Sequence, residues 1–324
     1  MRYITAELNQ GRLGHQMRDQ ISARIAAKLF GLKYVHYLLC NNSKPWEDFL
    51  GFGEGEVKYD DIINKNLKIV EISDTPPCPH IPIKKVEDIV KENNQDNTFF
   101  IFKNSTWINE SSDNFLQLKK EVFNELKDKY FSKREINPIK DYFNKEKVNI
   151  AVQIRRGGKW KDVNKRINSY LYVENKSFIN LIHNLNKILN PKKVDIHIYS
   201  EGPEKELPNF SQFSNVFLHI CDNKYPELYN TFHQMLMSDI LVALNSCFTI
   251  FLGNLTQNFV IFHKKSYNLN KSNTSIVWDD DGNLEQERLK DYITNKFDYT
   301  YLNGENISKL ISRIENIKSS LTRI

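Results

Sequence analysis

Strand-like and helix-like patterns alternate over short intervals in the second half of this sequence, and this alternation limits the fold more than any other feature. Apolar residues mark five strand-like segments, at 148–154, 194–198, 216–220, 240–244 and 259–263, the last being the final strand that the pattern predicts. Helical spacing separates them, most clearly at Phe178, Leu181, Ile182, Leu185 and Ile188. Strands joined by helices in this way form parallel β-α-β units with both sheet faces covered. The pattern therefore predicts an α/β domain.

The first half carries a similar but less regular pattern. Apolar residues alternate with polar ones over 4–8 as in a strand, and an amphipathic helix is predicted from Met17. The glycine-bearing turn between them, 9–16, lacks the G-x-G-x-x-G spacing of a dinucleotide site. The sequence leaves open whether this turn binds a ligand or only redirects the chain.

Composition suggests where the domains begin and end. We expect two Rossmann-like domains over 1–140 and 148–300, joined by a polar, lysine-rich linker at 132–147, and a closing helix over 301–324. The stretch 41–55 shows neither the helical nor the strand period. It contains the run Gly-Phe-Gly-Glu-Gly, which predicts a flexible surface loop.

Size, charge and cysteine content exclude several classes of protein. A chain of 324 residues is long enough for two domains with separate cores. The formal net charge of +5 is spread along the chain, which suits an anionic small molecule and argues against a nucleic-acid binder. No apolar run reaches the length of an integral membrane segment, and the N-terminal residues lack the apolar core of a signal peptide. The four cysteines form no Cys-x-x-Cys pair, so we expect reduced thiols, no zinc site and a cytoplasmic protein.

The strand at 148–154 runs directly into cations and glycines. Arg155 and Arg156 precede Gly157 and Gly158. Glycine lets the backbone turn sharply beside a ligand, and open α/β sheets bind ligands at the carboxyl ends of their strands. Two guanidinium groups suit a diphosphate, because each can donate to two oxygens and always stays charged. An exposed basic turn is the alternative, and the local pattern does not decide between the two.

Two further predicted strands end in polar residues, the first at Ser200-Glu201 and the second at Asn245-Ser246. Because the carboxyl ends of parallel strands lie along one edge of a sheet, we expect these residues to converge with the arginines. Ser246 and the N–H groups at the start of a helix from Cys247 would then hold phosphate oxygens. The alternative is a helix cap without a ligand.

Three stretches, in this order along the chain, resemble the fucosyltransferase superfamily of GT-B glycosyltransferases, most closely the α-1,2-fucosyltransferases of glycosyltransferase family 11. Those enzymes carry GG-LG-NQ-M near the N-terminus, H-I-R-R-G-D in mid-chain and M-S-x-C-x-H-x-I-I-A-N-S-S-F-S-W-W in the C-terminal half. The corresponding stretches here are 10–17, 153–158 and 237–249. The resemblance covers the first helix and the stretch from Val148 to His263.

This resemblance implies two Rossmann-like domains whose parallel sheets face each other across a cleft, with the N-terminal domain on the acceptor side. It implies inverting transfer of fucose from GDP-fucose to a glycan hydroxyl, in α-1,2 linkage to galactose. With the diphosphate neutralised by the arginines and a helix N-terminus, we expect no metal ion and no other cofactor. Arg156 is expected to stabilise the departing β-phosphate, with Arg155 supporting it or holding the loop.

The expected site combines residues of the predicted strand ends with residues of the resembling stretches. The donor-binding residues are expected to be Gly14, His15, Gln153, Ser200, Glu201, Asn245, Ser246, Cys247 and Phe248. Asp162 and Asp19 are candidates for the base that activates the acceptor hydroxyl, and Glu201 is a third.

The chain departs from the family pattern in three places. Gln153 stands where the family has histidine, Gly158 where it has aspartate, and Ile250-Phe251 where it has two tryptophans. These departures leave the acceptor and the linkage open. They also leave open a second interpretation, a non-catalytic protein that binds a nucleotide or a glycan.

A third interpretation rests on the acidic run Asp279-Asp280-Asp281, which is similar to the DxD motif by which GT-A glycosyltransferases bind a divalent cation. An exposed acidic turn before Gly282 is the alternative. The late position of the run, with no nucleotide-binding half to match it, favours the turn.

Overall fold

The computed structural model of the chain forms two compact units, Met1–Ile139 and Lys140–Ile324. The structure describes residues 1–7, 13–39, 44–73, 80–103, 107–108, 110, 112–139, 141–156, 172–221, 225–244, 246–256, 258–264, 275–297, 301–304, 307–309 and 312. Each unit contains its own parallel sheet together with helices, which confirms the α/β class. A cleft between the two sheets stays a prediction.

The first unit is built on a five-stranded sheet. Its strands are β1 (Tyr3–Ala6), β2 (Lys33–His36), β3 (Val57–Lys58), β4 (Lys68–Ile72) and β6 (Thr98–Phe102), while β5 (His80–Ile81) pairs separately with β7 (Trp107–Ile108). The helices are α1 (Leu13–Phe30), α2 (Lys44–Leu50), α3 (Ile83–Glu92) and α4 (Asp113–Ile136). The sheet order is β3-β2-β1-β6-β4, with every neighbouring pair parallel. Strand β6 is buried along its length and is apolar after Thr98, as a strand is in a parallel sheet whose two faces are both covered.

The second unit is built on a six-stranded sheet. Its strands are β8 (Val148–Arg155), β9 (Val194–Glu201), β10 (Val216–Cys221), β11 (Ile240–Ala243), β12 (Phe259–His263) and β13 (Ser275–Trp278). The helices are α5 (Asn175–Ile188), α6 (Tyr225–Met237), α7 (Cys247–Leu255) and α8 (Gln286–Lys296). All neighbouring strands are parallel, in the order β10-β9-β8-β11-β12-β13. Numbered within the unit this is 3-2-1-4-5-6, the order of the Rossmann fold.

One face of the second sheet packs into the apolar core of the second unit. Val148, Ile150, Val152 and Ile154 alternate along β8, and all four lie in this core with residues of α5 and α8. Helices α6 and α7, which contact β8 and β11, contribute none of their described residues to it and so pack on the opposite face. By the same alternation, Arg155 lies on that opposite face.

The structure corrects several predicted element boundaries. Helix α1 begins at Leu13 rather than Met17, and it is buried nearly all round rather than along one stripe. Helix α4 continues to Ile136 and so occupies the start of the predicted linker. Strand β13 follows the segment predicted to be the last strand; it has only four residues, too few for a period to show. Of the predicted closing helix, only short pieces lie among the described residues.

The run Gly51 to Gly55 is not the flexible surface loop that its glycines predicted. Helix α2 precedes it within the stretch 41–55, and Phe52 is fully buried. The carbonyl oxygen of Phe52 accepts hydrogen bonds from Arg24 Nη2 at 2.8 Å and from Lys129 Nζ at 3.3 Å. Cations from α1 and α4 therefore fix this loop to the core of the first unit.

None of the helices in the described part of the chain is both long and apolar enough to cross a membrane.

Candidate functional site

The carboxyl edge of the second sheet contains a topological switch point. Strand β8 lies between β9 and β11, and the chain leaves β8 toward one side of the sheet before it returns, through α6, to the other. Loops that diverge at such a point leave a crevice outside the strand ends, where doubly wound proteins bind nucleotides. The segments that border the crevice are the end of β8 and the turn from β11 into α7.

The two arginines at the end of β8 have different environments. Arg155 is half-buried and is level with Glu201 in the ladder between β8 and β9, so both side chains start from the same face. Arg156 follows the last strand residue, and only 2% of its surface is exposed. These adjacent residues thus differ in burial, with Arg155 partly accessible and Arg156 in the protein interior.

The guanidinium group of Arg156 is held by oxygens of the protein. Its Nη2 atom donates to the carbonyl oxygen of Val173 at 2.9 Å and to Oδ1 of Asn175 at 2.6 Å, and Nη1 donates to the carbonyl oxygen of Arg155 at 3.0 Å. The rings of Tyr172 and Phe178 flank the cation, with ring centroids 4.7 Å and 5.7 Å from Cζ. These contacts join the end of β8 to the start of α5.

Asn175 has a second contact that extends this arrangement. Its Nδ2 atom donates to the carbonyl oxygen of Glu206 at 3.1 Å, in the segment between β9 and β10. Sequence reasoning missed this role of Asn175, because a residue 19 positions after the arginine shows no local signal of contact with it. The apolar spacing in the sequence predicts this helix only from Phe178 onward, whereas the helix begins at Asn175.

The turn from β11 into α7 presents a helix N-terminus at the same edge. Ser246 is the N-cap residue, is buried to 7% exposure and makes no side-chain cap to the helix, while its carbonyl oxygen accepts from Ile250 N at 2.8 Å. Thr249 Oγ1 instead donates to the carbonyl oxygen of Leu244 at 3.0 Å. The N–H groups of the first turn, which include those of Cys247 and Phe248, have no acceptor within a helix and attract anions.

The other predicted donor-binding residues of the second unit lie close to this edge. Ser200 is buried, and its Oγ donates to the carbonyl oxygen of Glu201 at 3.1 Å. Gln153 is half-buried, and its Oε1 atom is buried without a hydrogen-bond partner among the described residues. Asn245 and Asp162 lie outside the described residues.

Gly14, His15 and Asp19, the predicted site residues of the first unit, all lie in α1, since that helix starts at Leu13. Asp19 is 1% exposed, and its Oδ1 accepts from Arg18 Nε at 3.2 Å and Nη2 at 3.1 Å. A cavity of about 290 Å³ in this unit is lined by Leu29 and residues of α3 and α4. That cavity lies at the other end of α1 from the predicted residues.

The acidic run is engaged in a turn and in ion pairs. Asp279 Oδ1 accepts from the backbone N–H groups of Asp281 at 3.0 Å and Asn283 at 2.9 Å, an Asx-type turn. These two bonds hold the pKa of Asp279 below its usual value, although partial burial acts in the opposite direction. Asp280 lies 3.2 Å from His263 Nε2 and 2.9 Å from Lys264 Nζ. Groups of three or more ligand side chains suited to a metal ion are absent from the described part of the chain.

Comparison with solved structures finds fucosyltransferases. A structure of POFUT1 in complex with GDP covers 80% of this chain and 98% of its own, with 12% identity and a TM-score of 0.47. NodZ, an α-1,6-fucosyltransferase co-crystallised with GDP, covers 87% and 96% with 13% identity and a TM-score of 0.44. NodZ from Bradyrhizobium gives 80% and 94%, 14% identity and a TM-score of 0.42. At these identities and scores the likeness assigns neither a family nor an activity to this chain.

No protein-family model matches the sequence. No curated protein sequence matches it either.

Proposed function

We propose that the chain is an inverting glycosyltransferase that moves fucose from GDP-fucose to a glycan hydroxyl, in α-1,2 linkage to galactose. The observation that carries the proposal is the strand order 3-2-1-4-5-6, which places Arg155 and the N-terminus of α7 beside one switch point. A guanidinium group and a helix N-terminus together suit a diphosphate. The motif resemblance at 153–158 and 237–249 supplies the identity of the sugar nucleotide.

The environments of the two arginines give them different roles in this proposal. Arg155, the less buried of the pair, contacts the diphosphate. Arg156 fixes the backbone from which Arg155 projects, because moving its guanidinium to a ligand would break its bonds to Val173 and Asn175. The sequence alone predicts Arg156 as the first contact of the β-phosphate; we propose a positioning role instead, and its bonds to Val173 and Asn175 support that role.

The chemical step needs stabilisation of the leaving group more than activation of the acceptor. Negative charge grows on the departing diphosphate as the glycosidic bond breaks, so a cation fixed at that position lowers the energy of the transition state more than that of the bound donor. Of the base candidates, Glu201 lies at the same sheet edge and Asp19 is buried beside Arg18. Donor binding at the switch point is independent of which carboxylate acts.

A thermal-shift panel tests the donor. A ligand that binds only the folded state stabilises it by RT ln(1 + [L]/Kd), about 2.7 kcal/mol at one hundred times Kd. GDP and GDP-fucose should raise the melting temperature clearly, and UDP and ADP at equal concentration much less. Equal shifts from every nucleotide would indicate a generic phosphate site, and a UDP-selective shift would rule out the fucosyltransferase assignment.

A non-catalytic nucleotide or glycan binder is the second candidate, and Gln153 and Gly158 are the residues that favour it, since the resembling enzymes have histidine and aspartate there. Such a protein would give the same thermal shifts with GDP. It would release no fucose from GDP-fucose, with or without simple galactosides, whereas an enzyme would form product in proportion to its concentration.

A further inference from the structure

The second sheet carries a histidine pair on the face opposite the apolar core. His197 in β9 alternates with the core residues Ile196 and Ile198, and His219 lies on the neighbouring strand β10. The Nδ1 atom of His197 is 3.0 Å from Nε2 of His219, within hydrogen-bond distance. This pair lies away from the strand ends that form the switch point, since His197 is level with Ala151 of β8 while Arg155 is level with Glu201.

The segment that leads from the first unit into β8 packs on this pair. We call residues 141–147 the connector. The ring of Tyr142 stacks on His219 with centroids 5.2 Å apart, and its hydroxyl lies 2.9 Å from that of Tyr199. The ring of Phe143 lies 4.8 Å from His197. The connector is thus held on the sheet by two aromatic rings that contact the two histidines.

Charged groups at the edge of this cluster are few and can be named. Lys147 Nζ binds Asp195 Oδ1 at 2.7 Å, and Asp195 lies two residues before His197 on the same strand. Burial, helped by His219 and Lys147 and opposed by Asp195 and Asp141, lowers the pKa of His197 to about 4. Burial also lowers the pKa of His219.

The two phenols of the cluster do not titrate near neutral pH. Burial raises the pKa of Tyr142 and of Tyr199 above the usual phenol value, so both hydroxyls keep their protons. The neutral histidine pair needs one proton between its facing nitrogens, because one donates and the other accepts. A proton on each of those nitrogens would place two N–H donors against each other under two apolar rings.

We propose that the His197–His219 pair is a proton-operated dock for the connector, which holds the connector on the second unit when both rings are neutral and releases it when they are protonated. The sign follows from linkage, since a pKa lowered in the docked state means that the undocked state binds more protons. Docking is therefore complete above pH 6.5 and weakens as the pH falls toward 4. If undocking returns the pKa of His197 from about 4 to 6.5, the equilibrium constant for docking falls about twentyfold between pH 7 and pH 5.

The first measurement is the titration of the two histidines by NMR in the full chain. Docking and protonation oppose each other with a single coupling free energy. If docking lowers the pKa of His197, a variant that weakens docking must therefore raise it. Phe143→Ala should therefore move the pKa of His197 from about 4 toward 6.5. Phe131→Ala, which removes the same phenyl group from α4 in the first unit, is the matched control and should leave both histidines unchanged. Equal His197 pKa values in wild type and Phe143→Ala would overturn the proposal.

The second measurement is proteolytic cleavage within the connector, divided at each pH by the cleavage rate of a free peptide of the same sequence. In the wild type this ratio should rise between pH 7 and pH 5 by up to about twentyfold. A His197→Phe/His219→Phe variant keeps two stacking rings, loses the proton and should show a low, constant ratio, because replacing both hydrogen-bond partners together leaves no unpaired group. A constant ratio in the wild type, or a rise that persists in the double variant, would contradict the dock.

Discussion

At the residue scale, the arginine pair shows what the sequence predicted and what it could not. The strand period placed both arginines at the carboxyl end of β8, and that placement is correct. The period also implies that neighbouring side chains leave opposite faces of a sheet. It gives no information on the acceptors of Arg156, because Val173 is 17 positions away and belongs to a different element.

Single substitutions separate the two proposed roles. Arg155→Ala should reduce turnover at least tenfold and shrink the GDP thermal shift, since each 1.36 kcal/mol of lost transition-state stabilisation is about tenfold in rate. The melting temperature of the ligand-free protein should change less than it does in Arg156→Ala, because Arg155 is half-buried and Arg156 is buried. Arg156→Ala should also reduce turnover at least tenfold, but it should lower the ligand-free melting temperature by several degrees, because buried oxygens lose a charged donor.

Arg156→Lys serves as the conservative variant and should not rescue turnover, because an ammonium group cannot reach several acceptors in one plane. Full activity in Arg156→Ala would remove this residue from the site altogether. A normal ligand-free melting temperature with a lost GDP shift in Arg156→Ala would instead make it a direct ligand.

At the element scale, long apolar patterns were predicted well and elements held by distant contacts were not. The predicted strands at the positions of β8, β9, β10 and β12 all exist, and each of them is longer than the four residues of β13. Helix α1 was placed four residues late because its first turn contains a glycine and a buried polar residue, Gln16. The prediction of a flexible loop for this glycine run was wrong for a similar reason, because Arg24 and Lys129, which hold the loop, lie far away in the sequence.

The close packing of this run predicts the effect of adding one methyl group. A Cβ atom at Gly53 would overlap the His36 ring, 2.7 Å from Nε2, and would lie 2.6 Å from Lys58 Nζ. His36 cannot move away easily, because Nε2 is bonded to Glu47 Oε2 at 2.8 Å and the side chain is fully buried. Gly53→Ala should therefore destabilise the first unit by about 1–3 kcal/mol, as overpacked sites do.

Urea unfolding measures this effect, with Gly304→Ala as the control, since a Cβ there meets no atom within 4 Å. Equal stability of Gly53→Ala and Gly304→Ala would show that the loop is free to shift, as the sequence alone had suggested.

At the scale of the whole molecule, the strand order of the second sheet explains why the predicted ligand-binding residues lie along one edge of it. Alternation of strands and helices predicted parallel sheets, but the order of the strands depends on which edges pair, and single strands do not encode that. The order β10-β9-β8-β11-β12-β13 brings the end of β8 at Arg155 beside the start of α7 at Cys247. The predicted convergence of Arg155 and Ser246 on one sheet edge follows from this order.

The charge balance of the whole donor site gives the last prediction, which concerns metal ions. If guanidinium and helix N–H groups neutralise the diphosphate, transfer needs no divalent cation, and turnover should survive EDTA. Because Asp279 Oδ1 is the acceptor of a turn, the informative variant is Asp279→Asn/Asp281→Asn, which removes both charges and keeps that oxygen. This variant should retain wild-type turnover with and without chelator. Loss of activity in EDTA that Mn²⁺ restores, together with an inactive double variant, would instead identify the acidic run as the DxD motif of a metal-dependent GT-A enzyme.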